Sequence, residues 1–270
     1  MSQQSFRSIE LSDASFEEAG LRFLTVKTPN LRGRGDVCLF VPKQAAKLVS
    51  LPIYILLHGV YGSSWVWALK GGVHLSAQKL IDQQKIKPAI IAMPSDGLWG
   101  DGSGYLNHSE KQFEQWIISD VPKAIRENIP QADDHSLLCI GGLSMGGYGA
   151  LRLGANFPNI FQAISAHSTI TRLSEMKSFV EEPITSYRGA PSFLDVIQAS
   201  EKHREILPPI RFDCGTSDPL LAANRTLHKQ FTQMSIPHTY EEFPGGHEWA
   251  YWQEHVVKSL RFFDQHCEQK

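Results

Sequence analysis

The sequence predicts an α/β fold with a mostly parallel central sheet, an antiparallel N-terminal edge and helices on both faces. Three observations predict it. Apolar runs of strand length recur along the chain, among them "IYILLHG", "SLLCIGGLS" and "PPIRFDCGTSD". A run without polar alternation suits a strand covered on both faces, as in parallel sheets. Helix-length segments separate these runs, and such alternation gives parallel strands joined by right-handed crossovers. The first forty residues differ and read as strands of an antiparallel edge.

At that edge "LRFLTVKTP" and "GDVCLFVPK" flank "NLRGRG", whose Asn and Gly favour a turn, so a β-hairpin is expected. "IYILLHG" then opens the buried part of the sheet. Helical "HLSAQKLIDQQ" leads to strand "KPAIIAMPSDG", and "SEKQFEQWIISDVPKAIREN" to strand "SLLCIGGLS". "GGYGALRLGANFP" follows as a helix and "FQAISAHS" as a strand. Residues 171–208 break the pattern, because they are too long for one helix. They are expected to form a lid-like insertion over the carboxyl edge of the sheet. "PPIRFDCGTSD", "LLAANRTLHKQFTQM" and "PHTYEEFPGGH" restore the alternation. In the closing helix Trp252, Val256, Leu260 and Phe263 recur on one face. No internal repeat and no Pro/Gly/Ser linker divides the 270 residues, so a single domain over 1–270 is expected.

Composition excludes several function classes. The formal net charge is −2 with both signs mixed, and no basic stripe points to nucleic acid. No apolar run approaches the roughly 18 residues of a membrane span. The opening "MSQQSFRSIELSDASF" lacks the basic and apolar regions of an export signal, although a trimmed chain would read the same way. Four cysteines form no CxxC pair, and Cys139 and Cys214 fall in apolar strand-like runs. A reduced, cytoplasmic protein is expected.

The chemistry concentrates in "CIGGLSMGGYGAL". Gly142-Leu143-Ser144-Met145-Gly146 fits G-x-S-x-G with an apolar strand before it and a helical run after it, the context of a nucleophile elbow. Ser144 then takes a strained conformation that lifts its hydroxyl above the sheet, and Gly142 and Gly146 let strand and helix approach. The competing reading is a glycine-rich phosphate site. The stretch lacks the P-loop lysine and does not fit G-x-G-x-x-G.

A serine needs a base, and the base needs an orienting acid, in the chain order Ser, Asp or Glu, His. Most later histidines fall in or beside helices or in 171–208. His167 precedes the acid, and His238 starts a strand at its far end. His247 instead follows a strand's carboxyl end, and Gly245 and Gly246 free its loop. "HEWAY" is not HExxH, so zinc is not expected. Asp218 closes "IRFDCGTSD" at another carboxyl end, with a helix N-cap as its competing role. Asp213 lies inside that strand. The oxyanion donors are expected to be the Met145 amide and the Val60 amide, with Tyr61 as the alternative.

Together "LLHGVYGSSW", "GGLSMGGYGAL", "CGTSD" and "GGHEWAYW" resemble the esterase D branch of the α/β-hydrolases, nearest to tributyrin-type and feruloyl-type carboxylesterases. The resemblance covers most of the chain. It implies an α/β-hydrolase fold, a triad of Ser144, Asp218 and His247, and oxyanion donors Val60 and Met145. The expected reaction is hydrolysis of short-chain or aromatic acyl esters through an acyl-enzyme, with acyl groups on sugars left open by the loop aromatics, and with no metal or organic cofactor. The expected partner is a small-molecule ester, and homo-oligomerisation is left open. A thioesterase of the S-formylglutathione hydrolase type, or an acyltransferase, would use the same triad, and a non-catalytic binding protein is the remaining alternative. "HGVYGSSW" lacks the cysteine usual in that hydrolase loop. Trp67, Trp99 and Tyr61 are candidate substrate contacts. Trp65 and Tyr105 are further aromatics of the same loops, with Asp96 and Asp101 as possible sugar-hydroxyl acceptors.

Overall fold

The computed structural model describes residues 6–187 and 194–267. Apolar strand residues stack by turns on two faces, and this produces a sheet with a core on either side. In β4 (Ile53–Leu57), Ile53, Ile55 and Leu57 join one apolar cluster while Tyr54 and Leu56 join the other. β5 (Ile90–Pro94) divides in the same way, with Ile90 and Ala92 opposed to Ile91 and Met93. This period of two explains the lack of polar alternation in the sequence.

Among the described residues the sheet has nine strands in the order β1-β2-β3-β5-β4-β6-β7-β8-β9. The edge strands β1 (Ser8–Leu11), β2 (Leu21–Thr28) and β3 (Gly33–Phe40) run antiparallel, as does the β3–β5 pairing. The predicted hairpin is β2–β3, and β1 adds a strand outside it. The pairings from β5 through β4 to β6 (Leu138–Leu143), β7 (Phe161–His167), β8 (Ile210–Gly215) and β9 (His238–Phe243) are parallel. Strand order therefore reverses at β4, between β5 and β6. In open α/β sheets ligands bind outside the carboxyl ends at such a reversal.

The face built on Tyr54 and Leu56 is covered by α1 (Val66–Leu69), α2 (Val73–Asp82) and α7 (Trp249–His266). The opposite face is covered by α3 over 113–128, α4 (Met145–Asn156), α5 (Val196–Lys202) and α6 (Leu221–Gln233). Helix α3 carries a π-turn, Trp116–Asp120, just before Pro122. Proline has no N–H for the carbonyl one turn back, so the helix widens there.

The expected insertion begins as 3₁₀ turns at Leu173–Ser178 and Ile184–Ser186 and ends in α5 and a further turn, Arg204–Ile206. Its residues 188–193 lie outside the described residues. No described helix is long and apolar enough to cross a membrane.

Candidate active site

The turn from β6 into α4 holds Ser144 at φ +53°, ψ −119°. Few non-glycine residues occupy such a conformation, and it costs about 1–3 kcal/mol. Packing enforces it. A Cβ on Gly142 would lie 2.3 Å from the Gly146 carbonyl oxygen, and one on Gly146 would lie 2.3 Å from that of Leu57. The two glycines thus let β6, α4 and β4 meet backbone to backbone. Although Ser144 is only 2% exposed, it lines a cavity of about 500 Å³ at the strand-order reversal.

Two other carboxyl-end loops converge on this hydroxyl. His247 Nε2 lies 3.0 Å from Ser144 Oγ, and His247 Nδ1 lies 2.9 Å from Asp218 Oδ2. With Nδ1–H donated to the carboxylate, Nε2 accepts the Ser144 hydroxyl proton. The loops are joined directly, because the Ser217 N–H donates to the Gly245 carbonyl at 2.9 Å. Gly245 has φ +132°, a backbone that a side chain would strain.

Asp218 does two jobs at once. Its Oδ1 also accepts the Leu220 N–H at 2.8 Å, an Asx turn that leads into α6, whose own N-cap is Leu220 and not Asp218. Burial pushes this carboxyl up. The bonded His247 and the Leu220 N–H outweigh it and hold the group below the ordinary carboxylate value.

The loop after β4 supplies amides. Tyr61 N–H is spent on the Asp101 carbonyl at 2.8 Å, which removes it as a free donor. Among the described residues the Val60 and Met145 amides have no acceptor. His58 braces this loop from below. Its Nε2 accepts the Asp96 N–H at 3.1 Å, so Nδ1–H is left to donate to the Gly59 carbonyl at 2.7 Å.

The cavity walls correct part of the sequence reading. Tyr61 lines the cavity, with its hydroxyl donating to the Phe179 carbonyl. Trp67 does not line it: the side chain is buried, and its indole N–H donates to the Leu57 carbonyl at 3.0 Å. Trp99 packs elsewhere, its ring 4.3 Å from His108 and 5.4 Å from Tyr187. Tyr105 is buried with its hydroxyl on the His58 carbonyl at 3.0 Å.

Asp96 and Asp101 serve loops. The first accepts the Leu98 and Ser103 amides, the second the Glu181 amide. The aromatic walls are instead Trp65, Trp249, Trp252 and Phe179. Trp252 meets the His247 ring edge-on at 5.0 Å, and Phe179 lies 5.7 Å from it. Lys70 stands at the rim, 5.7 Å over the Trp249 ring. The signal for Trp249 and Trp252 lies in "GGHEWAYW"; helical periodicity places Trp252 in the core, where it is buried, and it edges the cavity as well. Phe179, in 171–208, carried no signal.

Comparison with known proteins agrees with this architecture. The model of the Esterase family matches residues 29–263, most of the chain. An acetyl esterase of Caldicellulosiruptor saccharolyticus is 26% identical over 232 residues, 79% of this chain and 83% of that protein. Esterase Rv1288 of Mycobacterium tuberculosis is 25% identical over 197 residues, but this chain spans only 42% of its length. Among solved structures, a ferulic acid esterase superposes with a TM-score of 0.76 at 21% identity, covering 97% of this chain and 100% of that one. An S-formylglutathione hydrolase from Agrobacterium tumefaciens gives 0.78 at 17% identity, covering 98% and 100%. The chain thus belongs to the Esterase family and is a carboxylester hydrolase of α/β-hydrolase fold.

Proposed function

We propose that this esterase works through Ser144 as nucleophile, His247 as general base and acid, and Asp218 as the group that orients the imidazole. The observation that carries the reading is the unbroken contact chain from Ser144 Oγ to His247 Nε2 at 3.0 Å and from His247 Nδ1 to Asp218 Oδ2 at 2.9 Å. In the first half-reaction Ser144 attacks the ester carbonyl while His247 takes its proton and returns it to the leaving alcohol. Water repeats the route to free the acid. The Val60 and Met145 amides stabilise the oxyanion, each donor supplying on the order of 10²–10³ in rate.

The substrates proposed are esters of short or aromatic acids. The cavity walls of Trp65, Phe179, Trp249 and Trp252 suit a planar ring or a short acyl chain better than a long flexible one. The acetyl esterase relative and the ferulic acid esterase neighbour point the same way. Segment 171–187 supports the lid-like reading. It reaches the cavity with Phe179 and is tied down by the Glu181 amide on Asp101 and the Tyr187 hydroxyl on the Gly102 carbonyl at 2.7 Å. The buried thiols suit the cytoplasm.

Ser144→Ala is expected to abolish p-nitrophenyl acetate hydrolysis and fluorophosphonate labelling while leaving the circular dichroism spectrum intact. Turnover retained by the variant would overturn the assignment. A panel of acetyl, butyryl, feruloyl and acetyl-sugar esters, with S-formylglutathione as the thioester, tests the substrate class.

A further inference from the structure

On the face of the sheet beneath α7 a second hydrogen-bonded chain uses the residue types of the first. Ser259 Oγ lies 2.6 Å from His167 Nε2, and His167 Nδ1 lies 3.0 and 2.9 Å from the two Asp213 oxygens. All three residues are at most 1% exposed. Ser259 sits within α7, with no elbow to lift its hydroxyl, and its Oγ is taken up by His167 and Ser165. The partners of this chain show what it does.

The network fastens α7 to the sheet at two places. Ser259 holds one end through His167 on β7 and through Ser165 Oγ at 2.6 Å. Tyr251 holds the other, its hydroxyl donating to Asp213 Oδ1 on β8 at 2.8 Å. The two residues are eight apart, just over two helical turns, and so share a face. Arg211 Nη2 completes the network, 2.6 Å from Asp213 Oδ2 and 2.8 Å from Glu241 Oε2. Burial raises the Asp213 carboxyl, but His167, Arg211 and Tyr251 outweigh it and keep the group ionised. The phenol therefore donates to a charged acceptor, the stronger class of hydrogen bond.

Tyr251 stands four residues after His247, and its ring supports the loop between them and the sheet. A Cβ on Gly245 would lie 2.8 Å from the Tyr251 ring, and one on Gly215 would lie 2.4 Å from the Gly245 carbonyl oxygen. The Gly245–Gly246 turn is thus clasped between the end of β8 and this ring. We propose that Tyr251 is a positioning residue whose ring and hydroxyl, anchored on Asp213, hold the Gly245–Gly246 turn so that His247 stays within reach of Ser144. The proposal rests on the reading of His247 as the base.

The test is Tyr251→Phe, which removes one hydroxyl and keeps the ring, with rates expressed per fluorophosphonate-titrated site so that unfolded protein does not count. The expected result is a fall in kcat on the order of 10–10²-fold, the size of effect that sub-ångström to ångström misplacement produces, with KM within about twofold of wild type. Amide exchange at Gly246 and His247 should quicken while β4 and β6 stay protected. Ser259→Ala, which cuts the far end of the network, should lower the melting temperature yet keep the wild-type kcat per site. A Tyr251→Phe kcat within twofold of wild type, or equal kcat losses in the two variants, would overturn the proposal. Should wild-type protein resist the fluorophosphonate, the serine mechanism itself fails; amide exchange needs no turnover and still decides the positioning role.

Discussion

Ser144 is the residue at which conformation and proposed chemistry meet. Its backbone at φ +53° costs energy, and the cost is sustained because Gly142 and Gly146 permit contacts that no larger residue would. Asp218 is its counterpart on the acid side, a carboxylate shared between an imidazole and the Leu220 amide. Asp218→Asn keeps the size and the Leu220 bond but favours the wrong imidazole tautomer. The expected outcome is a loss of about 10⁴ in kcat on p-nitrophenyl acetate with an unchanged fold, checked by steady-state kinetics beside circular dichroism. The G-x-S-x-G spacing and the positions of Asp218 and His247 at strand ends made the three residues candidates from sequence. Trp67 and Trp99 were misplaced because an aromatic residue near a site reads the same whether it faces the cavity or the core.

At the scale of elements, α3 and α4 are joined by a buried ion pair. Arg152 Nη1 lies 2.6 Å from Glu114 Oε1, and Arg152 Nη2 donates to the Tyr105 carbonyl. The Tyr105 hydroxyl in turn holds the His58 carbonyl, just before the Val60 loop, so this pair supports the floor of the cavity from behind. Glu114→Ala would take the carboxylate from a guanidinium with no exposure, which keeps the Tyr105 carbonyl. A loss of about 3–5 kcal/mol is expected, readable as a lower urea midpoint with an unchanged slope. The long helical segment was legible in sequence, but its π-turn was not. Pro122 signals a perturbation, and only packing determines whether a helix kinks, ends or widens there. β1 was not legible as a separate strand, since "SIEL" is too short and polar to stand out from the turn after it.

At the scale of the molecule, the described residues form one continuous sheet with an apolar cluster on each face, and unfolding as a single cooperative unit is the expected outcome. Its pH dependence should show two stages. Burial lowers His74, His238 and His255, so below about pH 6.5 the unfolded chain takes up protons that the folded one refuses, and stability falls. Asp213 and Asp218 are likewise lowered, because their partners outweigh burial. Their contribution is complete above about pH 3.9 and is lost as pH drops through their folded values. Asp120, raised by burial, works in the opposite sense and blunts the second stage. Urea titrations from pH 8 to pH 3 should show one transition whose midpoint declines in these two windows. A midpoint that rises toward acid would contradict the assignment.

The sequence by itself determined the layered α/β architecture, the antiparallel edge and the glycine-framed serine turn. These depend on local rules: apolar period, turn chemistry and the space a backbone leaves for a side chain. It also preferred Asp218 to Asp213 and His247 to His167 as candidates, because position at a strand's carboxyl end is written in the order of strands and loops. Tertiary structure alone decided what lines the cavity and what holds it. Phe179 arrives from a segment without a motif, Trp249 and Trp252 from the start of α7, and Tyr251 reaches Asp213 across 38 residues. Such contacts depend on how two faces of different elements come to rest against each other, and no periodicity along one chain encodes that.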